Sequence, residues 1–246
     1  KFMQAFARSN DIEENDLDNM LDLAAVSIAA DIVPMVGENR IMAYWGLKRL
    51  NSNPNVGLRA IIKICQLSNR EITISDVIFK IGPRINASGR MQSGREAVEL
   101  LVSRDFADAY QRAKNIDQYN KDRKELDKRI TEEANAIIEK RTHLLNDKKS
   151  IVIYNKDWHK GIIGIVASRI VEAYYRPVLI LCSDGETLKG SGRSVPEFDL
   201  HAGLTRCADM LLGFGGHRQA AGLRIAPGRL DELRERFDAV IREELG

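Results

Sequence analysis

The sequence predicts an α/β protein in two parts, with a mostly helical first part and a second part built on a partly parallel sheet. Three observations predict it. Beyond residue 146, short apolar runs rich in valine and isoleucine alternate with helical patterns, as in an α/β module. Residues 95–142 contain neither glycine nor proline and interleave charges of both signs with apolar positions, which reads as one or two long helices. Before that stretch, apolar helical spacings are short and interrupted by Pro34, Pro54 and Pro83. The domain boundary is expected near residue 147.

In chain order, residues 16–30 read as a helix, capped by Asp16 or Asp18, with Leu21, Ala24, Ala25 and Ile28 on its apolar face. Residues 38–50 repeat the spacing, residues 51–55 form a polar turn, and residues 57–65 and 75–81 are short helices. I-G-P-R-I-N-A-S-G-R-M, residues 81–91, reads as a loop because it holds two glycines and a proline. Asn120 to Lys124 is too polar for a core and reads as a solvated stretch of helix. The second part is expected as strands at 150–154, 177–182, 188–194 and 221–225, with helices at 161–174, 199–212 and 230–245.

A formal net charge of +2 excludes a global basic field, so any polyanion site must be a local cluster. The three cysteines are odd in number and have no C-x-x-C spacing, which argues against a disulfide framework or thiolate zinc site and for a reducing cytoplasm. No apolar run is long enough to span a membrane and no signal peptide opens the chain. The first residue is Lys1, so the chain is expected to begin inside a longer protein.

Four segments could carry chemistry. Phe214-Gly215-Gly216-His217-Arg218 places two glycines before a histidine and an arginine, a pattern that suits close backbone approach to a phosphate. A tight turn with a surface histidine would look the same. Lys189 to Ser194, K-G-S-G-R-S, offers Ser191 and the forked donor Arg193 at a strand end, or else a plain β-turn. The 81–91 segment presents Arg84, Asn86, Ser88, Gly89 and Arg90, with Lys80 and Arg95 nearby. Its arginines suit phosphodiester oxygens or partner carboxylates. Trp158-His159-Lys160-Gly161 precedes a helix start, which suits an anion; Trp158 could stack on a base or simply pack. Asp31 follows a hydrophobic helix and is flanked by apolar residues, which implies burial. It reads as a helix-terminal aspartate or as a metal ligand or general base. His143 and His201 have no companions and are assigned no role.

These segments, in this order, resemble the RecJ-type single-strand-specific exonucleases of the DHH phosphoesterase superfamily. The resemblance rests on D-L-A-A-V-S-I-A-A-D-I-V-P-M-V-G-E-N-R, I-G-P-R-I-N-A-S-G-R-M, W-H-K-G-I-I-G-I-V-A-S-R, G-S-G-R-S-V-P-E-F-D-L and F-G-G-H-R-Q-A-A-G. The last is similar to the signature of the DHHA1 domain. The fold it implies is the C-terminal part of a DHH domain at 1–104, a long connecting helix at 105–147 and a DHHA1 domain with a mixed sheet at 148–246. The activity it implies is metal-dependent 5′→3′ hydrolysis of single-stranded DNA in repair and recombination, in a groove too narrow for duplex. Implied cofactors are two Mn²⁺ or Mg²⁺ ions. Implied partners are single-stranded DNA, single-strand-binding protein and helicase.

By the same resemblance Asp31 is a metal ligand, and Arg84, Asn86 and Arg90 touch nucleic acid. Ser191, Arg193, Gly215, Gly216 and His217 grip phosphate, with His159 a further contact. The family's D-x-D and Asp-His-His motifs and its oligonucleotide-binding domain are absent from this sequence. The chain alone is therefore expected to hold no metal pair and to be inactive. Two other functions are compatible with the superfamily: a phosphodiesterase for short RNA or cyclic dinucleotides, and a noncatalytic nucleic-acid-binding module.

Overall fold

The computed structural model describes residues 2–11, 15–141 and 146–246; His143 lies outside them. Two compact units divide the chain, Lys1–Arg123 and Lys124–Gly246.

The first unit is helical. Its elements are α1 (Phe2–Ser9), α2 (Asn15–Asp18), α3 (Leu21–Ala30), α4 (Gly37–Ser52), α5 (Val56–Ile64), α6 (Ile74–Asp76), a π-helical turn (Val77–Ile81), α7 (Gly82–Met91), α8 (Gly94–Val102) and the first half of α9 (Phe106–Lys140). Leu50, Leu58, Ile61, Val77, Ile81, Leu100 and Ile116 form its core. Buried Asp22 links α3 to α5 by accepting from the backbone N–H of Asn55 at 2.6 Å. Asp76 closes a capping box with Thr73 and pairs with Arg70 and Lys80. The Arg70 hydrogen bond holds its carboxyl far below the usual range. This anchored corner fixes the start of the α6–α7 run.

Several expectations need correction here. The helix expected over 16–30 is broken at Asn19–Met20. The helix expected over 75–81 starts at Ile74 and widens into the π-turn. Residues 82–91 are a helix, not a loop. Pro83 sits in the first turn, where its missing N–H is not required, so it starts the helix instead of breaking it. Asn120, expected in solvent, is buried and accepts from Arg123 Nε at 3.3 Å.

The second unit holds the rest of α9, then β1 (Ile151–Tyr154), α10 (Ile163–Tyr174), β2 (Val178–Asp184), β3 (Thr187–Arg193), α11 (Leu200–Thr205), a 3₁₀ turn (Ala208–Met210), β4 (Leu211–His217), β5 (Ala220–Ile225) and α12 (Leu230–Leu245). The sheet order is β1-β2-β3-β5-β4, with β1 and β2 parallel and the other pairs antiparallel. Period-two alternation sends Leu179, Leu181, Leu188, Leu223 and Ile225 to one face. There they pack with Phe198, Leu204, Leu233, Phe237 and Ile241. On the other face α10 packs against β2 and β3. The tail of α9 is tied to this unit through three contacts. Arg169 donates to Asp127 at 2.8 Å, the Tyr174 hydroxyl to Asn135 at 3.1 Å, and Trp158 Nε1 to Glu133 at 2.7 Å. Trp158 is buried, so it packs and presents no face to a base.

The helix expected over 199–212 ends at Thr205, and the glycine-rich Leu211–His217 is strand β4. Glycine disfavours strands, but here pairing to β5 holds the segment extended.

Candidate nucleic-acid interface

The glycine-rich motifs meet on the sheet face that carries α10. Cross-strand partners point to the same side. Register therefore aligns Arg193, Ala220 and His217 in one row, and Ser191, Gly222 and Gly215 in the next. A third row holds Lys189, Arg224 and Gly213. Gly213, Gly215 and Gly222 are exposed, and a Cβ at Gly213 or Gly215 would meet nothing within 4 Å. The floor of this face is bare backbone.

The first turn of α10 forms one wall. A Cβ at Gly164 would lie 2.9 Å from Ser191 Oγ and 3.3 Å from Arg193 Nη2, so only a glycine lets the helix start come this close. Arg193 Nη1 donates to Ser191 Oγ at 3.2 Å and to the Gly192 carbonyl at 2.7 Å, which fixes the guanidinium beside that turn. His159 Nδ1 accepts from the Gly161 N–H at 3.1 Å, and His217 Nδ1 accepts from the Gln219 N–H at 3.3 Å. With Nδ1 accepting, each neutral ring carries its proton on Nε2 and offers it as a donor.

The β4–β5 turn is stitched to the segment after β3. Ser194 N–H donates to the Gln219 carbonyl at 3.1 Å, and Leu200 N–H to the Arg218 carbonyl at 2.9 Å. Arg218 itself reaches away, to the Pro196 carbonyl at 3.0 Å and towards Asp199. Gly216 has φ +151°, and a Cβ there would lie 2.3 Å from the Ala220 carbonyl oxygen. His201 stands 5.5 Å, ring to ring, from Phe214.

In the first unit the sequence-identified residues divide into two kinds. Arg84 is largely enclosed and committed, with Nε on Asp117 at 2.8 Å and Nη1 on the Lys80 carbonyl at 2.8 Å. Burial raises the Asp117 carboxyl, but Lys121 and Arg84 outweigh it and hold the group below its usual range. Ser88 is buried and donates to the Ser93 carbonyl. Asn86 and Arg90, one helical turn apart on α7, are exposed. Asp31 follows α3 as its C-cap and is exposed, which corrects the expectation of burial. The flanking apolar residues are themselves in solvent: Ile32 is 75% and Val36 68% exposed. Gly82, which opens α7, packs against Ala30, so the end of α3 adjoins the start of the Arg84 helix. Among the described residues, no three His, Cys, Asp or Glu side chains come together as a metal site.

Sequence reasoning passed over Arg224 and Asp184, and gave Lys189 and Gly222 no role. Only the strand order β2-β3-β5-β4 makes them neighbours.

Comparison with known proteins bears directly on this face. Residues 147–243 match the DHHA1 domain. The chain is 39% identical over 225 residues to the single-stranded-DNA-specific exonuclease RecJ of Bacillus subtilis, covering 91% of this chain and 28% of that protein. It is 35% identical to RecJ of Dickeya dadantii, covering 95% of this chain and 42% of the relative. The chain thus spans less than half the length of these relatives. The crystal structure of Thermus thermophilus RecJ in complex with Mn²⁺ superposes with a TM-score of 0.83 at 30% identity. That match covers 97% of this chain and 35% of the solved one. A RecJ exonuclease solved bound to manganese gives a TM-score of 0.76 at 31% identity, covering 92% of this chain and 57% of the other.

Proposed function

Because the chain belongs to the RecJ family, as a portion that carries a DHHA1 domain, we propose that it is the nucleic-acid-gripping part of a single-stranded-DNA exonuclease. One observation carries this reading: a bare glycine floor, walled by the first turn of α10 and edged by Ser191, Arg193 and His217, with His159 in the turn that leads into α10. Backbone floor and charge-assisted donors suit a phosphodiester chain, and a helix start adds favourable dipole. The named donors suit phosphate oxygens, so binding is expected to follow the strand and not its sequence.

In this reading, residues 1–104 are the C-terminal part of a DHH domain, 105–147 a connecting helix and 148–246 the DHHA1 domain. The whole enzyme would remove nucleotides from the 5′ end in the cytoplasm, during repair and recombination, beside single-strand-binding protein and a helicase. Exposed Asn86 and Arg90 would contact the strand, while Arg84 positions α7 through Asp117. The relatives solved with Mn²⁺ make a metal centre part of the proposal. The donors present here do not fit one by themselves. Hard divalent ions take several oxygen ligands, and Asp31 is the single carboxylate the family resemblance assigns to that centre. Asp31 would contribute one ligand within the whole enzyme, and this chain alone would grip without cutting.

Arg193→Ala and His217→Ala test the grip. Arg193→Ala is expected to weaken binding of a labelled single-stranded oligonucleotide and to flatten the slope of log K against log salt by about 0.7, one phosphate contact, whereas His217→Ala is expected to weaken binding at an unchanged slope, because a neutral imidazole donor releases no counterion. A wild-type slope in Arg193→Ala together with wild-type affinity in both variants would remove these side chains from the backbone path and defeat the reading.

A further inference from the structure

We propose that Lys189 and Arg224 form a second phosphate-binding row on the same sheet face, which sets the length of strand held by the second unit. The proposal rests on the nucleic-acid reading of that face. Lys189 and Arg224 are direct cross-strand partners on β3 and β5, and both are exposed. Like charges directly opposite destabilise a sheet. One carboxylate offsets them in part: Asp184, which ends β2, accepts from Lys160 Nζ at 2.9 Å and from Arg224 Nη2 at 3.3 Å. Two of the three cations, Lys160 and Arg224, thus share a single anion, and Lys189 makes no ion pair among the described residues. The surplus positive charge faces the row's third member, Gly213, whose Cβ position is open. The row of Arg193, Ala220 and His217 likewise sets basic or donor side chains next to bare glycine, Gly215 and Gly222 of the row between.

Geometry gives the spacing. Lys189 is four residues from Arg193 on β3, about 14 Å at ~3.4 Å per residue. A stacked strand carries one phosphate per ~3.4 Å, so both rows are reached by about four stacked nucleotides, or by fewer when the strand is extended. Asp184 is a positioning residue here, since it turns Arg224 and Lys160 towards one another across the end of the face.

The test compares a thymidine dinucleotide, which has one internucleotide phosphate, with a thymidine octanucleotide. Binding to the full chain is followed by NMR titration at several salt concentrations. Arg224→Ala is expected to weaken the octanucleotide about tenfold and to lower its salt slope by about 0.7. The dinucleotide should stay within about twofold of wild type. Arg224→Lys, which keeps the charge, should recover most of the octanucleotide affinity, and unchanged circular dichroism melts confirm that the variants fold. If Arg224→Ala binds the octanucleotide like wild type while Arg193→Ala weakens both ligands, the second row is idle and the proposal falls, but the grip stands. If Arg193→Ala also weakens neither, the sheet face is not the strand's path, and both readings fail together.

Discussion

Asp238→Ala is expected to cost the second unit about 3 kcal/mol of stability, because it leaves several donors without an acceptor at once. Asp238 is buried on α12. Its Oδ1 accepts from the N–H of Lys149 at 2.6 Å, and from the N–H and hydroxyl of Ser150 at 3.0 and 3.1 Å. Its Oδ2 accepts from Arg242 Nε at 2.8 Å. These bonds pin the entry to β1 onto the last helix. Arg242 is half exposed and can return to water, so most of the loss comes from the stranded Ser150 and Lys149 groups. Burial raises the Asp238 carboxyl, but Arg242, the two N–H groups and the Ser150 hydroxyl outweigh it and hold the group below its usual range. The sign follows. Stability from this group is fully present above the ordinary aspartate value, about 3.9, and is lost as pH falls through the lower folded value. Asp238→Asn keeps an acceptor oxygen but has no charge to titrate, so its deficit against wild type should shrink in that acid window. Urea unfolding of a Trp45→Phe background, read by the one remaining tryptophan, buried Trp158, measures both. A loss below about 1 kcal/mol for Asp238→Ala would mean that these bonds do not hold β1 in place.

Gly216→Ala should damage both fold and grip, whereas Gly164→Ala should damage the grip alone. At Gly216 a Cβ meets backbone, 2.3 Å from the Ala220 carbonyl oxygen and 2.5 Å from Ala221 Cα, at a φ of +151° that L residues rarely adopt. Nothing there is a flexible chain end, so the β4–β5 turn must open, at about 3 kcal/mol from strain and overpacking combined. His217 moves with it, and single-strand affinity should drop more than about tenfold. At Gly164 the new Cβ meets side-chain ends, Ser191 Oγ and Arg193 Nη2. They can move aside, and alanine improves helix propensity by up to about 1 kcal/mol. Thermal stability should therefore hold while affinity falls about tenfold, because Arg193 is displaced from the helix start. Equal affinity for Gly164→Ala and wild type would show that the close approach of α10 to β3 serves packing only.

Much of the architecture is legible along the chain where one period dominates. Helix α12 runs over 230–245 as its apolar spacing predicts, and strands β1 and β2 follow from short Val/Ile/Leu runs bounded by turn residues. The failures lie where local chemistry and tertiary context disagree. Gly82, Pro83 and Gly89 look like loop residues, yet the π-turn before them supplies a helix to continue, and Pro83 falls where proline is tolerated. Leu211 and Leu212 look like a helix end and Phe214–His217 like a tight turn until β5 pairs with them. Asp31 looks buried because its neighbours are apolar, but they are exposed too. The motifs at 189–194 and 214–222 are visible as separate glycine clusters. That they share one floor depends on a strand order in which β5 lies between β3 and β4, and spacing alone does not encode that order.

On the proposed reading this chain holds a single strand through its own glycine-floored sheet face, apart from any metal. The direct measurement is the affinity of the full 246-residue chain for a labelled single-stranded oligonucleotide, titrated against salt, with and without Mn²⁺. Salt-sensitive binding that Mn²⁺ leaves unchanged is expected, with the oligonucleotide recovered intact. Absence of binding at low salt, or binding and digestion that appear only with Mn²⁺, would contradict it.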